Sequence, residues 1–257
     1  MERMNYQTLK VRFQDTICFL QFHRPEANNT INDQLIAECI EVLTLCESTA
    51  TIVVVEGLPE VFCFGADFKA AAGENTGTQT VPTQGPEALY DLWLRLATGP
   101  FITIAHVRGK ANAGGIGFVA ACDIVLADQQ AVFSLSELLF GLLPACVMPF
   151  LIRKIGFQKA QYLTLMTKPV TVQQAHAWGL VDAFDSQSDA LLRTHLLRLK
   201  NLSKTGIQRY KRYMSLLHDL QAPRAAAIAA NKEVFSDPEN LARITRFVKT
   251  GLFPWEN

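Results

Sequence analysis

The chain contains 257 residues with a mass of 28.5 kDa, which is enough for one large domain or two small ones. Hydrophobic residues form 49% of it and charged residues 19%, proportions typical of an ordered globular protein. Its 24 basic and 24 acidic side chains cancel to a formal net charge of +0, which argues against attraction of the whole molecule to nucleic acid or acidic membranes. No apolar stretch is long enough to cross a bilayer and the first residues carry no secretion signal, so we expect a cytoplasmic protein.

Alternating apolar residues around a turn at Gln14 and Asp15 predict a β-hairpin at the start of the chain. The segment NNTIND then offers a helix N-cap, and apolar residues follow it at helical spacing. These residues are Leu35, Ile36, Cys39, Ile40 and Leu43. Residues 51–55 form a β-branched run, which is typical of a strand buried on both faces, and a turn at Glu56 and Gly57 ends it.

Residues 71–87 are small, polar and rich in proline and glycine, a composition that predicts a mobile loop. A helix over 87–98 follows, and then buried strands over 101–107 and 123–127. The glycine-rich segment 109–117 lies between these two strands. The alternation of strand, glycine-rich turn and helix predicts an α/β fold.

The second half of the chain has a mainly helical pattern from Pro149 onward. The residues TVQQ at 171–174 predict a capping box that opens a short helix. Residues 188–250 are expected to form three helical pieces that break near Pro223 and Pro238.

The six cysteines lie in apolar segments and form no C-x-x-C pair, so we expect buried, reduced thiols. They are Cys18, Cys39, Cys46, Cys63, Cys122 and Cys146. The five histidines are scattered along the chain, and the sequence therefore predicts no metal site.

Two glycine-containing loops near the ends of predicted strands carry the residues FCFGADFK, at 62–69, and GKANAGGIG, at 109–117. Such turns expose backbone N–H groups, and two of these groups from two loops can hold a developing oxyanion. Close packing of strand against helix would also explain the glycines. The patterns of a dinucleotide-binding turn and of a P-loop are absent, and Lys69 is either a contact for a phosphate or a solvated lysine.

Glu137 lies in the segment FSLSELLFGLLP, which is almost wholly apolar. Burial there would raise the pKa of the carboxyl group toward neutrality, as a group that accepts and returns protons near pH 7 requires. The alternative interpretation is a carboxylate in the first turn of a helix after Ser136, stabilised by the helix dipole.

Five segments resemble, in order and spacing, the motifs of the crotonase (enoyl-CoA hydratase/isomerase) superfamily. They are HRPEANNTIND, FCFGADFK, VRGKANAGGIGFVAACDIVLAD, FSLSELLFGLLP and LIRKIGFQKAQYLTLMTKPVTVQQAHAWGLVDAF. The resemblance covers nearly the whole chain and implies an α/β fold of repeated ββα units. It also implies a thioester substrate and a C-terminal helical trimerisation region. We therefore expect a core over 1–187 and a helical region over 188–257 in a homotrimer or hexamer.

The resemblance places the oxyanion donors on the backbone N–H groups of Phe64 and Gly114. Of the two glutamates that superfamily hydratases use, the second matches Glu137, whereas the first falls on Gly117 and is absent. Ala113 also replaces the first glycine of the superfamily's triplet.

Further contacts with the substrate are expected from the same two loops. The residues concerned are Gly65, Ala66, Asp67, Asn112, Gly115 and Gly117. For Asp67 the alternative role is to hold its loop by accepting hydrogen bonds. For Asn112 the alternatives are a hydrogen bond to the substrate and a hydrogen bond that holds its own loop.

The loss of the first glutamate leaves one carboxyl group for the chemistry. Glu137 alone can carry out a syn elimination, in which it removes the α-proton and returns it to the departing β-hydroxyl on the same face. Gly117 is expected to leave space beside the β-carbon for a branch with methyl, hydroxyl and carboxymethyl groups. A negatively charged substrate arm would also meet one fewer carboxylate.

Within the superfamily the chain is most similar to the PksH-type dehydratases of polyketide β-branching cassettes. The segments that carry this likeness are RPEANNTIND, EGLPEVFCFGADF, SLSELLFGL, FLIRKIG, FSDP and FPWE. The likeness implies dehydration of 3-hydroxy-3-methylglutaryl, held on acyl carrier protein, to a 3-methylglutaconyl thioester. It implies no cofactor besides the 4'-phosphopantetheine arm of the carrier, or CoA.

Three alternatives stay open: an enoyl-CoA hydratase or isomerase for free CoA esters, the decarboxylase of the same cassette, and a non-catalytic scaffold that binds acyl carriers. An ionised Glu137 would repel a substrate carboxylate at the reacting centre, which disfavours the decarboxylase. Two basic clusters are either solvated helix faces or docking sites for an acidic carrier. They are Arg153, Lys154 and Lys159, and Arg198, Lys200, Lys204, Arg209, Lys211 and Arg212.

Overall fold

A computed structural model of the chain describes residues 6–68 and 85–256. The strands are β1 (Leu9–Gln14), β2 (Ile17–Phe22), β3 (Ile52–Glu56), β4 (Val61–Cys63), β5 (Ile102–Val107), β6 (Lys110–Asn112), β7 (Ile124–Asp128), β8 (Val132–Ser134), β9 (Val170–Thr171) and β10 (Ala183–Asp185). The α-helices are α1 (Asp33–Thr49), α2 (Pro86–Thr98), α3 (Gly114–Ala121), α4 (Met148–Met166), α5 (Val172–Ala177), α6 (Ser188–Leu199), α7 (Lys204–Leu217), α8 (Arg224–Ser236) and α9 (Pro238–Thr250).

The larger sheet has six strands in the order β1-β2-β3-β5-β7-β10. The predicted hairpin of β1 and β2 is its antiparallel edge, with Asp15 at φ 52 in the turn, and the other neighbours pair in parallel. All five residues of β3 are buried, as its β-branched sequence predicts for a strand covered on both faces. The predicted helix α1 covers this sheet and begins at Asn32, whose side chain accepts a hydrogen bond from the N–H of Leu35.

The smaller sheet has four strands in the order β4-β6-β8-β9. Strands β4, β6 and β8 are parallel and only three residues long, too short to give a periodic signal in the sequence. Because they run in the same direction, the loops that follow them leave the sheet at one edge. This edge carries the candidate functional residues.

The C-terminal region confirms the predicted breaks near Pro223 and Pro238 but contains one more. Residues 188–250 form four helices, because α6 ends at Leu199 and α7 begins at Lys204. The prediction of three pieces was wrong at this point, where no proline marks the boundary. The boundary comes from Ser203, whose hydroxyl accepts a hydrogen bond from the N–H of Gly206 and caps the new helix.

The predicted capping box at Thr171 and Gln174 is confirmed, and all six cysteines are buried and free, as expected. The predicted loop over 71–87 falls largely outside the described residues, as does Lys69. Within the described ranges, none of the helices is both long enough and apolar enough to span a membrane.

Arg153, Lys154 and Lys211 were expected to lie on a solvated helix face or in a docking site for an acidic carrier. Both expectations were wrong for these three residues, because their side chains point into the protein. Arg153 donates to the carbonyl oxygen of Ala120 at 3.0 Å, near the C-terminal end of α3, and Lys154 donates to that of Asp123 at 2.9 Å. Lys211 forms an ion pair of 2.5 Å with the Asp123 carboxylate. Cations next to helical C-terminal carbonyls stabilise the helix end, so these three residues fix α3 against α4 and α7.

Candidate active site

Three neighbouring strand ends bring together the residues that the sequence singles out. Phe64 directly follows β4, Gly114 follows β6 by two residues, and Glu137 follows β8 by three. The strands are parallel and adjacent in the order β4-β6-β8, and adjacent strands lie about 4.8 Å apart. The two predicted oxyanion donors and the predicted acid/base are therefore placed at one sheet edge.

The loops after β4 and β6 touch each other at Gly65. A Cβ atom on this glycine would lie 2.6 Å from the Cβ of Ala113 and 3.2 Å from the backbone nitrogen of Gly114. Gly65 has φ +88, a conformation that residues with a side chain rarely adopt. Its carbonyl oxygen accepts a 2.8 Å hydrogen bond from the N–H of Ile31, which fixes the loop from the other side.

The backbone N–H groups of Phe64 and Gly114 donate no hydrogen bond to any residue in the described ranges. Gly114 is the first residue of α3, and N–H groups in a first helical turn have no partner within the helix. Both donors are thus available to a ligand at the positive end of α3. Their role as an oxyanion hole stays a prediction.

Asp67 is engaged within the protein. Its carboxylate pairs with the Arg24 guanidinium at 3.3 Å and accepts a hydrogen bond from the Thr30 hydroxyl at 3.1 Å. Asn29, which is fully buried, donates from its side-chain amide to the carbonyl oxygens of Val61 and Phe62, at 3.1 Å each. The motif HRPEANN therefore holds the β4 loop. From the sequence, Asn29 and Thr30 were considered only as candidate helix caps and Arg24 was given no role, because these contacts join residues more than thirty positions apart.

The side chain of Asn112 joins the ends of β6 and β8. It donates to the Ser136 hydroxyl at 3.0 Å and accepts from the Ser134 hydroxyl at 2.7 Å. These bonds match the alternative in which Asn112 holds its own loop, and they also fix the segment that leads into Glu137. A contact of Asn112 with substrate stays a prediction.

Glu137 begins a short 3-10 helix, Glu137–Phe140, and its side chain is buried. Burial raises the pKa of its carboxyl group from 4.5 to about 7, although nearby backbone N–H groups lower it. The predicted burial and raised pKa are confirmed. The Oε2 atom has no hydrogen-bond partner in the part of the chain that the structure describes, so this oxygen is free to bind a ligand.

The C-terminal helix α9 covers the segment that carries Glu137. The ring of Phe140 contacts those of Phe247 and Phe68, at centroid distances of 5.0 Å and 5.3 Å. The side chain of Asn240 donates to the carbonyl oxygen of Gly141 at 3.1 Å. Phe68 belongs to the segment that follows Phe64. Through Phe140, helix α9 therefore supports both this segment and the short helix that begins at Glu137.

The expected open space at Gly117 is absent, and this prediction was wrong. A Cβ atom on Gly117 would lie 2.3 Å from Cζ2 of Trp93, a residue of α2. The indole thus occupies the direction in which a side chain at position 117 would point. No sequence pattern indicates this contact, because Trp93 has the spacing of an ordinary core residue in an amphipathic helix.

The family of the chain follows from comparison with known proteins. The family described as enoyl-CoA hydratase/isomerase matches residues 12–257. The chain belongs to the enoyl-CoA hydratase/isomerase family. The resemblance to this family and the α/β fold that it implies are both confirmed.

Similarity to individual members of the enoyl-CoA hydratase/isomerase family indicates which type of reaction the chain catalyses. The chain is 62% identical over 260 residues to the bacillaene synthase dehydratase PksH of Bacillus subtilis, covering 100% of both proteins. The crystal structure of a B. subtilis protein described as a polyketide biosynthesis enoyl-CoA hydratase has a TM-score of 0.92 at 61% identity, covering 97% of this chain and 100% of that one. The mevalonyl-coenzyme A hydratase of Aspergillus fumigatus is 31% identical over 205 residues, 79% of this chain and 74% of that protein. The chain is a lyase of the hydratase/dehydratase type and a dehydratase of polyketide biosynthesis.

The contact at Gly117 predicts that the family's missing glutamate cannot simply be restored. The variant Gly117→Glu should lower the free energy of unfolding by roughly 2–4 kcal/mol, because its side chain must displace the Trp93 indole and bury a charge. Thermal and urea unfolding measure this loss. The double variant Gly117→Glu/Trp93→Ala has room for the carboxylate, so it should lose less stability than the sum of the losses of the two single variants. Additive losses would contradict the contact.

The raised pKa of Glu137 predicts how activity depends on pH. Only the ionised carboxylate accepts a proton, so kcat/KM should rise with pH up to about 7 and then level off. Initial rates of dehydration between about pH 5.5 and pH 8.5 measure this profile. A rate that is independent of pH over this range would exclude Glu137 as the base.

Proposed function

We propose that this enzyme dehydrates 3-hydroxy-3-methylglutaryl, carried as a thioester on acyl carrier protein, to the 3-methylglutaconyl thioester. The observation that carries the proposal is a buried carboxyl group, that of Glu137, at the same sheet edge as two unpaired backbone donors. A syn elimination needs only one group that takes the proton and gives it back, whereas the ordinary hydratases of this superfamily use two glutamates. Gly117 stands where the first of these glutamates would be, so Glu137 alone remains.

The reaction balances with Glu137 alone. Its carboxylate removes a proton from the α-carbon of the thioester, and the electron pair of the C–H bond moves onto the carbonyl oxygen as an enolate. The enolate then reforms the carbonyl, the C–O bond at the β-carbon breaks, and the protonated Glu137 gives its proton to the departing hydroxyl. The products are one water and one enoyl thioester, and the carboxylate is restored.

The enolate oxygen would accept hydrogen bonds from the N–H groups of Phe64 and Gly114. Their loops are held by Ile31 and by the Gly65–Ala113 contact, so the donors need little reorganisation during the reaction. One donor of this kind contributes about 3 kcal/mol to transition-state stabilisation in other enzymes. The loop residues Gly65, Ala66 and Gly115 would lie next to the bound thioester.

Two relatives support different parts of the proposal, the first the dehydration and the second the branched β-carbon of the substrate. The 62% identical protein is a dehydratase of bacillaene synthase, and the A. fumigatus relative is a hydratase of mevalonyl-coenzyme A. A mevalonyl group carries a methyl and a hydroxyl on its β-carbon, as 3-hydroxy-3-methylglutaryl does. The proposal requires no cofactor besides the phosphopantetheine arm that presents the substrate.

The charge on Glu137 is weaker evidence against decarboxylation than the sequence alone implies. A carboxyl group with a pKa of about 7 is neutral in about half of the molecules at pH 7, and its neutral form does not repel a substrate carboxylate. Dehydration is favoured instead by the relative of 62% identity, which is a dehydratase.

The deciding experiment offers the same acyl group on acyl carrier protein and on CoA, side by side, to the purified enzyme. Mass spectrometry of the thioester should record the loss of one water, faster on the carrier protein. A faster reaction on CoA would favour the hydratase for free esters, and a loss of carbon dioxide would favour the decarboxylase. No change on either substrate would refute 3-hydroxy-3-methylglutaryl as the acyl group on which the enzyme acts.

We also propose that the enzyme assembles as a homotrimer or a hexamer. The support is a set of exposed, large apolar side chains on the C-terminal helices and on α4, which a neighbouring subunit would cover. The set includes Phe157, Leu165, Leu197, Tyr210, Tyr213, Leu216 and Leu217. Light scattering coupled to gel filtration gives the mass, and a monomer at micromolar concentration would contradict the proposal.

A further inference from the structure

The indole of Trp93 lies flat against α3 at the position where a second carboxylate would point. A Cβ atom on Gly117 would be 2.3 Å from Cζ2 and 2.6 Å from both of its ring neighbours, Cε2 and Cη2. These distances place that Cβ above the face of the six-membered ring rather than at its edge. The same Cζ2 atom would be 3.9 Å from a Cβ on Gly114, the predicted oxyanion donor.

Two aromatic side chains fix the plane of this indole. Phe118 contacts it at a centroid distance of 5.8 Å and an interplanar angle of 88°, and Phe150 at 6.0 Å and 74°. Both contacts are edge-to-face arrangements, which aromatic pairs favour. Trp93 is only 1% exposed, so the ring has no room to rotate away from Gly117.

The Nε1–H group of Trp93 is buried and has no hydrogen-bond partner in the described ranges. Burying such a donor without a partner costs free energy, and a buried tryptophan N–H usually finds an acceptor. Nε1 is bonded to Cε2, so it lies on the side of the ring that contacts Gly117. Oε2 of Glu137 is also buried and unpartnered, so one donor on α2 and one acceptor after β8 lack a hydrogen-bond partner in the described ranges.

We propose that the Nε1–H group of Trp93 binds the oxygen atom on the β-carbon of the substrate, a tertiary hydroxyl in a 3-hydroxyacyl thioester. This inference rests on the proposed function and names the residue that recognises the leaving group. The indole N–H donates a hydrogen bond but does not release its proton near neutral pH. The proton that leaves with the hydroxyl therefore still comes from Glu137, and Trp93 orients the C–O bond toward it.

A neutral donor at this position also suits the charge of the substrate. The branch on the β-carbon ends in a carboxylate, and a glutamate at position 117 would place a second negative charge beside it. The indole removes this repulsion while it keeps one hydrogen bond to the hydroxyl. Trp93 and Gly117 together would favour acyl groups that carry a hydroxyl on the β-carbon and a negative charge beside it.

Trp93→Phe keeps an aromatic ring against Gly117 and removes the N–H. We expect its kcat/KM for the 3-hydroxy-3-methylglutaryl carrier thioester to fall about 10-fold, the effect of one lost neutral hydrogen bond. The acid limb of the pH profile should stay at the same pKa, because Glu137 is unchanged. The matched control is Trp178→Phe, a half-buried tryptophan that packs on Tyr162, and its kcat/KM should stay at the wild-type value.

A direct readout uses the indole N–H signals in a proton–nitrogen NMR spectrum, since the chain has 3 tryptophans. In the Glu137→Gln enzyme, saturating unreacted substrate should move the Trp93 signal downfield and slow its exchange with water. This measurement keeps Trp93 intact, so it stands even if Trp93→Phe folds poorly. A Trp93 signal that does not move, or equal activities of the two Trp→Phe variants, would overturn the assignment.

The outcomes separate this inference from the function on which it rests. Wild-type enzyme that leaves the thioester unchanged overturns the proposed function and the role of Trp93 together. Wild-type enzyme that dehydrates the thioester while the Trp93 signal stays in place overturns the role of Trp93 alone.

Discussion

Replacing Glu137 by glutamine is expected to lower the turnover of the enzyme by about 10²–10⁴-fold, the usual contribution of a general acid/base. Glutamine has nearly the same shape and fits the same buried position, but its amide neither accepts the α-proton nor returns one to the hydroxyl. Steady-state rates on the carrier thioester measure the loss. Binding of the carrier thioester should stay within a few-fold of wild type, because the donors at Phe64 and Gly114 are unchanged.

The same variant carries its own folding control. The pKa of Glu137 rises from 4.5 to about 7 on folding, so the folded state binds more protons than the unfolded state between these pH values. The stability that this group contributes is present below pH 4.5, is lost as the pH rises to about 7, and amounts to about 3 kcal/mol. Glu137→Gln should therefore unfold at a higher temperature than wild type at pH 8, and the difference should shrink toward pH 5.

A Glu137→Gln enzyme that loses activity and gains stability at high pH is folded and lacks only the proton acceptor. Unchanged turnover would remove Glu137 from the mechanism. Lost activity together with lost stability at pH 8 would mean that the carboxylate supports the fold, as the alternative with the helix dipole implies. The pH dependence of unfolding thus separates the two interpretations of Glu137.

The sequence predicts the elements of the larger sheet well, because buried parallel strands leave long β-branched runs such as residues 52–55. It does not predict the smaller sheet, since three-residue strands such as β4 and β6 give no periodic signal. The site at their ends was nevertheless predicted from the family resemblance, which identifies Phe64, Gly114 and Glu137 by motif. Local pattern and motif therefore found different parts of the molecule.

What the sequence could not predict are contacts between segments that are distant along the chain. The Asn29 amide holds the β4 loop from the segment before α1, and Trp93 fills the space at Gly117 from α2. A glycine in place of a glutamate indicates an opening when the sequence is considered alone, because the neighbour that fills the space belongs to another helix. Arg153 and Lys211 show the same limit, since a basic residue on a helix gives no sign of whether it points inward.

The substitution Gly65→Ala is expected to lower kcat by about 10²–10³-fold, the loss that follows when one oxyanion donor is removed in other enzymes. The added Cβ would lie 2.6 Å from the Cβ of Ala113 and 3.2 Å from the nitrogen of Gly114, so the two loops must move apart. The position also has φ +88, which adds backbone strain. Rates on the carrier thioester measure the effect.

Two further variants separate a displaced donor from backbone strain. Gly156→Ala has a similar φ of +72, but its Cβ would meet nothing within 4 Å, so it should cost about 1–3 kcal/mol of stability through backbone strain alone and leave kcat unchanged. Gly65→Ala/Ala113→Gly removes the methyl group that the new Cβ would strike, and it should recover part of the lost rate. If the double variant stays as slow as Gly65→Ala while both remain folded, the contact with Ala113 does not position the donors. Recovery of the rate would instead establish that the distance between these two loops sets the geometry around the thioester oxygen.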